Sequence, residues 1–282
     1  MSAQEAPVGG LGNDGPDWSR VRPPFDVSTA HPARVYDYLL GGKDNFAADR
    51  AAAEAIIEVS PVVFACVRAN RAFLRRAVRY LAGEAGIRQF LDIGTGLPTA
   101  QNTHQVAQQV APESRVVYVD NDPIVLAHAR ALLTSAPEGA CDYIDADLRD
   151  TDKVLRRAAE TLDFGQPVAV MVLCTMQYVP DADDPHAIIS RLTSAVPSGS
   201  FLAMSDTTRD IDTEVMTTGA ERYNARLGSA IFTPRTGAEY IRFFDHLSLV
   251  EPGLVPMPQW RPDPGSGSAE VIPMYAAIGR KP

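Results

Sequence analysis

Three acidic residues stand at the ends of three apolar runs, and their spacing describes a site for a nucleoside without a phosphate chain. The first lies in Phe90-Leu91-Asp92-Ile93-Gly94-Thr95-Gly96-Leu97-Pro98-Thr99. This reads as a buried strand running into a glycine turn that opens a helix. Glycines permit positive φ and let a ligand approach bare backbone. The helix behind them offers free N–H groups and the positive end of its dipole. A dinucleotide fingerprint needs a third glycine for close helix packing, but position 99 is Thr and position 98 is Pro, so that pattern fails. What remains is D-x-G-x-G, with Asp92, Gly94, Thr95 and Gly96 as the expected cradle. The second acid, Asp120, closes the run Arg115 to Asp120, 24 residues beyond Gly96. That is the length of one helix and a return to the neighbouring parallel strand. A carboxylate there accepts bonds from both ribose hydroxyls, with Asn121 beside it. The third, Asp147, follows Tyr143-Ile144-Asp145-Ala146, where the acid and the backbone at Leu148 would meet an adenine edge. Acids in these stretches also have plainer uses: Asp122 before Pro123 is an N-cap, Asp92 a turn former and Asp147 a cap for the next helix.

The elements that must position these residues alternate. Strands are predicted over 90–93, 116–120, 142–145, 167–173 and 200–205, with helices over 101–111, 123–134 and 152–162 and another from Asp184-Pro185. Such alternation predicts an α/β fold with a parallel, doubly wound, Rossmann-like sheet. Ahead of it, helices near 33–40, 46–59 and after Pro61 to about Ala82 form an N-terminal cap. In the last of these Val67, Leu74, Val78 and Leu81 share one face, with arginines largely opposite. Three units are expected: a disordered tail over 1–21, the helical cap over 22–84, and the core over 85–282. The core carries a helical insertion near 208–245, including a helix over about 235–244. The end, 247–257 and 270–279, reads as two extended segments joined by a Pro/Gly/Ser loop over 258–268.

Ordered acids at successive strand ends look like those of class I methyltransferases that bind S-adenosylmethionine. From about Arg22 to Ile278 the chain further resembles the actinobacterial S-adenosyl methyltransferases long grouped as a domain of unknown function. The resemblance rests on the words Ala33 to Phe46, Asn70 to Arg76, Phe90 to Thr99, Val117 to Pro123 and Val250 to Pro256. It implies a mostly parallel seven-stranded sheet with an antiparallel C-terminal edge, and S-adenosyl-L-methionine as cofactor. It also implies a lid, with Tyr36 or Tyr38 over the cofactor, Asn45 and Asp44 as polar contacts, and residues 34–46 closing one wall of the pocket. Two departures from the family pattern stand out. Met176-Gln177-Tyr178 replaces Leu-His-Phe, and Ser205-Asp206 replaces Ser-His. If those histidines move protons in relatives, this chain lacks them. Gln177, Tyr178 and Asp206 lie at the strand ends expected to meet an acceptor, and the catalytic residues stay unknown. His104 and His186 read as surface or capping residues. Gly42-Lys43 is not a P-loop, because position 37 is Asp and a helix precedes it; Gly41 reads as a helix C-cap.

Composition narrows the function classes. The chain has 282 residues, 45% hydrophobic and 22% charged, with a net charge of −9, which suits one sizeable α/β unit with additions. The negative charge and the lack of a basic run with interleaved aromatics speak against nucleic acid. No apolar run is long enough for a membrane span and no signal peptide is apparent, so the expected location is cytoplasmic. Cys66, Cys141 and Cys174 show no metal or disulfide spacing. The expected activity is methyl transfer to a small-molecule acceptor. A protein that only binds or senses S-adenosylmethionine is the alternative, and an NAD-dependent oxidoreductase is a further one that Thr99 disfavours. The sequence does not give the oligomeric state.

Overall fold

A computed structural model describes residues 26–132, 134–228, 231–265 and 271–282. The tail expected over 1–21 lies outside the described residues, as does part of the loop expected over 258–268.

The chain enters through helices α1 (Pro32–Leu39), α2 (Ala47–Ile57) and α3 (Val63–Arg79), the last closing in a π turn over Tyr80–Glu84. Five parallel strands follow: β1 (Gln89–Ile93), β2 (Arg115–Asp120), β3 (Ala140–Asp145), β4 (Ala169–Leu173) and β5 (Phe201–Thr207), in the order β3-β2-β1-β4-β5. The crossovers carry α4 (Thr103–Val110), α5 (Pro123–Leu132), α6 (Thr151–Ala158) and α7 (Pro185–Ser194). Strands β1 and β4 are buried along their whole length. Covered on both faces, they read as apolar runs and not as alternations. After β5 come α8 (Thr213–Asn224) and α9 (Gly237–Tyr240). The helix expected over 235–244 has only α9 as α-helix and ends as a 3-10 turn over Ile241–Phe244.

The C-terminal edge is antiparallel, as expected, with one of its two segments broken. Of its strands β6 (Ser248–Leu249), β7 (Val255–Pro256) and β8 (Met274–Arg280), β8 lies antiparallel to β5, Phe201 facing Arg280 and Thr207 facing Met274. Within 247–257, β6 and β7, two residues each, pair with β8, and Val250 N also donates to Ile278 O at 2.8 Å. Pro252 has no N–H to donate and Gly253 turns the chain at φ 82°, so the ladder cannot run through. Among the described residues eight strands thus fill seven positions, β6 and β7 sharing the one beside β8.

Two cores flank the sheet. On one face Leu91, Val117, Val170 and Leu202 pack with Val154 of α6 and Ile189 of α7. On the other, Phe90, Val116, Ala169 and Phe201 meet Phe73, Leu74 and Val78 of α3, Val106 of α4, and Trp260. The stripe Val67, Leu74, Val78 and Leu81 is buried, as its spacing predicted. The arginines are not all solvated, however. Arg76 is buried and donates from Nε to Trp260 O at 2.9 Å and from Nη2 to Met257 O at 3.1 Å. Those carbonyls flank a 3-10 turn pressed against α3 and need a donor. A third cluster joins Val35 and Leu39 of α1, Ala52 and Ala53 of α2 and Val67 of α3 to Tyr223 of α8 and to Leu227. Cap and insertion thus share one core. Among the described residues no helix is long and apolar enough to cross a membrane.

Candidate cofactor site

A cleft of about 860 Å³ opens at the C-terminal ends of β1 to β4. Asp92, Gly94, Thr95, Gly96, Asp120, Asn121, Asp147 and Leu148 all line it, and so does Tyr36. Parallel pairing brings them to one edge: Ile93 faces Val119, and Asp120 faces Asp145 just before the turn that carries Asp147.

The glycine turn after β1 has two different needs. Gly94, at φ 72°, lies so close to Thr175 that a Cβ would come within 2.2 Å of its Oγ1. The Thr175 Oγ1 lies 3.2 Å from Ile93 O of β1 and 3.0 Å from Leu173 O of β4, so it sits between the two strand ends at the cleft floor. Gly96, at φ 63°, has nothing within 4 Å of a built Cβ; any side chain there would project into open space. Its N–H donates to Asp120 Oδ2 at 2.8 Å, and Asp122 N donates to Oδ1 at 3.0 Å. Asp120 therefore anchors the turn as well as facing the cleft, while burial raises its pKa. Each carboxylate oxygen keeps a second lone pair for a ligand hydroxyl.

The helix behind the turn departs from expectation. Helix α4 begins only at Thr103, with Gln105 Oε1 accepting from Asn102 N at 2.9 Å. Thr103 Oγ1 donates to Asp92 Oδ2 at 2.6 Å, and His104 N donates to Tyr118 Oη at 2.8 Å. These first-turn groups face the protein and not a ligand. His104 is not a surface residue: it is 2% exposed, with Nδ1 2.8 Å from Tyr118 Oη. Alternation along β2 turns Tyr118 toward α4, which places a hydroxyl where His104 can reach it. Burial pushes Asp92 up to about 6, against the opposing hydrogen bond from Thr103 and the charge of Arg71.

Asp147 does not cap α6; Asp150 does, accepting from Lys153 N at 3.1 Å. Asp147 Oδ1 instead accepts from Arg149 N and Nε, each at 2.9 Å, and Arg149 Nη1 reaches Asp183 Oδ2 at 3.0 Å. One guanidinium thus ties the loop after β3 to the loop after β4. That pairing holds the Asp147 carboxyl below its ordinary range.

Cleft residues that sequence reasoning missed come from the N-terminal segment and α3. His31, Arg34, Asn70 and Arg71 line the cleft, as does Thr175. Asp122 caps α5 through Ile124 N at 2.8 Å and lies 3.0 Å from His31 Nδ1, while Arg34 Nε lies 3.2 Å from Asp49 Oδ1. Tyr36 Oη donates to Val67 O at 3.1 Å and accepts from Asn70 Nδ2 at 3.0 Å. Asn70 and Arg71 fall within one of the family words quoted above, the only signal that marked them.

Asn45 does not line the cleft. Its Nδ2 donates to Asp37 Oδ2 at 2.9 Å and Gly42 O at 3.1 Å, and Asp44 N donates to the same carboxylate at 2.9 Å. Tyr38 is bonded to Glu54 instead. The cleft wall is built by residues between 26 and 36, and not by 37–46.

The acceptor candidates separate. Gln177 Oε1 accepts from Thr207 N at 2.9 Å and Thr207 Oγ1 at 2.7 Å, so its amide ties β5 to the turn after β4 and does not line the cleft. Asp206 is 3% exposed and lines neither this cleft nor the small cavity beside it. Its Oδ1 accepts from Gln177 N at 3.4 Å, and Oδ2 has no hydrogen-bond partner among the described residues. The two departures from the family pattern therefore adjoin each other. Only Tyr178 faces the cleft. His186 stacks on Phe243 with ring centroids 4.3 Å apart, away from the site.

The chain is similar to solved structures along most of its length. One, a DUF574-family protein from Streptomyces avermitilis, is 48% identical with a TM-score of 0.87 over 91% of this chain and 99% of that one. Another, from Thermobifida fusca and described as a candidate methyltransferase, is 42% identical with a TM-score of 0.83, covering 91% and 96%. A methyltransferase from Anabaena variabilis, 11% identical at a TM-score of 0.51, shares the fold. A search of curated proteins gives no match. The model of a family described as S-adenosyl methyltransferase matches residues 19–282. The chain belongs to that S-adenosyl methyltransferase family, whose cofactor is S-adenosyl-L-methionine.

Proposed function

We propose that this methyltransferase holds S-adenosylmethionine in the cleft above β1 to β4 and passes its methyl group to a small-molecule acceptor. The observation that carries the reading is the order of acids along that edge. Asp92 in β1, Asp120 at the end of β2 and Asp147 just after β3 line one cleft, with no side chain at Gly96 to obstruct it. Asp120 takes the ribose hydroxyls, which its two backbone donors leave it free to do. Asp147, Asn121 and Leu148 form the adenine end. Gly94, Thr95 and Gly96 give the close backbone approach. Arg71, beside Asp92, offers a positive charge to the carboxylate of the methionyl part. When bound, the cofactor supplies an electrophilic methyl group on a sulfonium. Residues 26–36 and Tyr178 exclude water from that end, and such positioning can supply on the order of 7 to 11 kcal/mol of the barrier.

Calorimetry with S-adenosylhomocysteine and NAD tests the reading. Asp120→Ala is expected to weaken S-adenosylhomocysteine binding by about 1–3 kcal/mol through the unpaired ribose hydroxyls. Tighter binding of NAD, or parent-like affinity in Asp120→Ala, would sink it.

A further inference from the structure

Beside the cleft lies a second, apolar cavity of about 80 Å³. Tyr36, Cys174 and Tyr178 line both spaces and so form the wall between them. Cys174 and Tyr178 follow β4, at the far end of the cleft from Asp120 and Asp147. The rest of the lining includes Val35, Leu39 and Val67 from the cap and Met216, Gly219 and Tyr223 from α8. Polar groups at its border are already paired. Gln177 holds Thr207, the Tyr178 and Tyr223 hydroxyls stand 3.3 Å apart, and Tyr36 is bonded on both sides. Apolar cavities of this kind stay dry and take apolar groups.

Gly219 adds an independent observation. It sits inside α8, where glycine is less stable than alanine by roughly 0.5–1 kcal/mol. Neither a left-handed φ nor a close neighbour requires it there. A Cβ would come within 4 Å of Val59 Cγ1 alone, at 4.0 Å. What glycine leaves at this position is room at the cavity.

We propose that this cavity receives the body of the methyl acceptor, a short branched alkyl group, whose head group is an anion presented to the cleft at the shared wall. The inference rests on the cleft being the cofactor site. A volume of about 80 Å³ is near half that of the roughly 150 Å³ cavity that takes benzene, so about three or four carbons fit and a ring does not. The ionisable side chains lining the cavity are tyrosines and cysteines. Burial pushes Tyr36, Tyr178, Tyr223 and Cys174 upward, so these stay protonated at neutral pH and none serves as a base. A nucleophile that is already an anion suits such surroundings. Its lone pair forms the new bond to the methyl carbon as the carbon–sulfur bond breaks and leaves its electrons on sulfur. Negative and positive charge cancel, and no proton has to be placed. A carboxylate is such an anion at neutral pH.

The probe is 3-methylbutanoate, titrated calorimetrically into protein saturated with S-adenosylhomocysteine. It is expected to bind the parent and Gly219→Ala, and to bind Gly219→Leu about tenfold more weakly or worse, a loss near 1.4 kcal/mol. The affinity for S-adenosylhomocysteine should be the same in all three proteins. With S-adenosylmethionine the probe should yield its methyl ester. No binding of the probe, equal binding by Gly219→Leu, or binding without methylation would overturn the proposal. Failure of the parent to bind S-adenosylhomocysteine would instead overturn the reading of the cleft.

Discussion

Asp92 and Asp206 are both buried carboxylates near strand ends, and their neighbours set them apart. Thr103 donates to Asp92 and Arg71 lies nearby, so burial lifts Asp92 only to about 6. Asp206 has a bare Oδ2, and burial lifts it to about 8 despite the charge of Arg235. Both folded values lie above the ordinary aspartate value of 3.8, so between that value and the folded ones the native state holds protons that the unfolded chain has released. Stability then falls as pH rises through that window and levels off above the folded pKa. Asp206→Asn cannot ionise. Its melting temperature relative to the parent is therefore expected to climb from pH 4 to pH 8 and then flatten, in thermal unfolding followed at several pH values. A difference independent of pH would show that Asp206 is ionised in the fold.

At the scale of elements, α1 and the turn after it do separate jobs. Asp37, in α1, fixes the turn by accepting from Asp44 N and Asn45 Nδ2, and it lies where a Cβ on Gly42 would come within 2.0 Å of Oδ1. A turn bonded this closely is not a hinge. The segment before it, with His31, Arg34 and Tyr36, faces the cleft. Hydrogen exchange with and without S-adenosylhomocysteine is expected to show gained protection over residues 29–36 and over 92–96, and little change over 41–46. Protection gained at 41–46 alone would restore a moving lid and remove the wall described here.

Across the whole molecule, α3 links regions that are far apart in sequence. Val67 packs in the cap, Asn70 and Arg71 reach the cleft, and Arg76 holds the carbonyls of Met257 and Trp260 at the C-terminal edge. Arg76→Leu takes the side-chain donor from both carbonyls and leaves Met257 O only the Trp260 N–H at 3.2 Å, a cost of about 1–3 kcal/mol. Because the edge and the cap share α3, far-UV circular dichroism and tryptophan fluorescence are expected to shift together in denaturant. An early fluorescence transition with an unchanged main one would mean that the edge unfolds by itself.

The sequence by itself determined the sheet, the strand ends and the acids on them. Burial on both faces writes β1 and β4 as continuous apolar runs, and a parallel ladder brings successive strand ends to one edge. Asp92, Asp120 and Asp147 were legible for that reason, as were Gly94 and Gly96. The sequence also carried the family, through words long enough to be specific. Contacts between distant segments were decided only by tertiary structure. Arg71 and Arg76 read as part of a solvated helix face, because nothing local says that a loop and a C-terminal turn will cover it. Asn45 read as a ligand contact, because its capture by Asp37 depends on how the turn closes. Asp206 read as an acceptor contact but lines neither space, and Gln177 lines the small cavity with its amide oxygen already taken by Thr207, since strand-end position gives direction along the sheet and not which neighbour takes the side chain. The small cavity was invisible as a space, because it exists only where α1, α2 and α3 meet α8, although Tyr36, Gln177 and Tyr178 in its lining were singled out one by one.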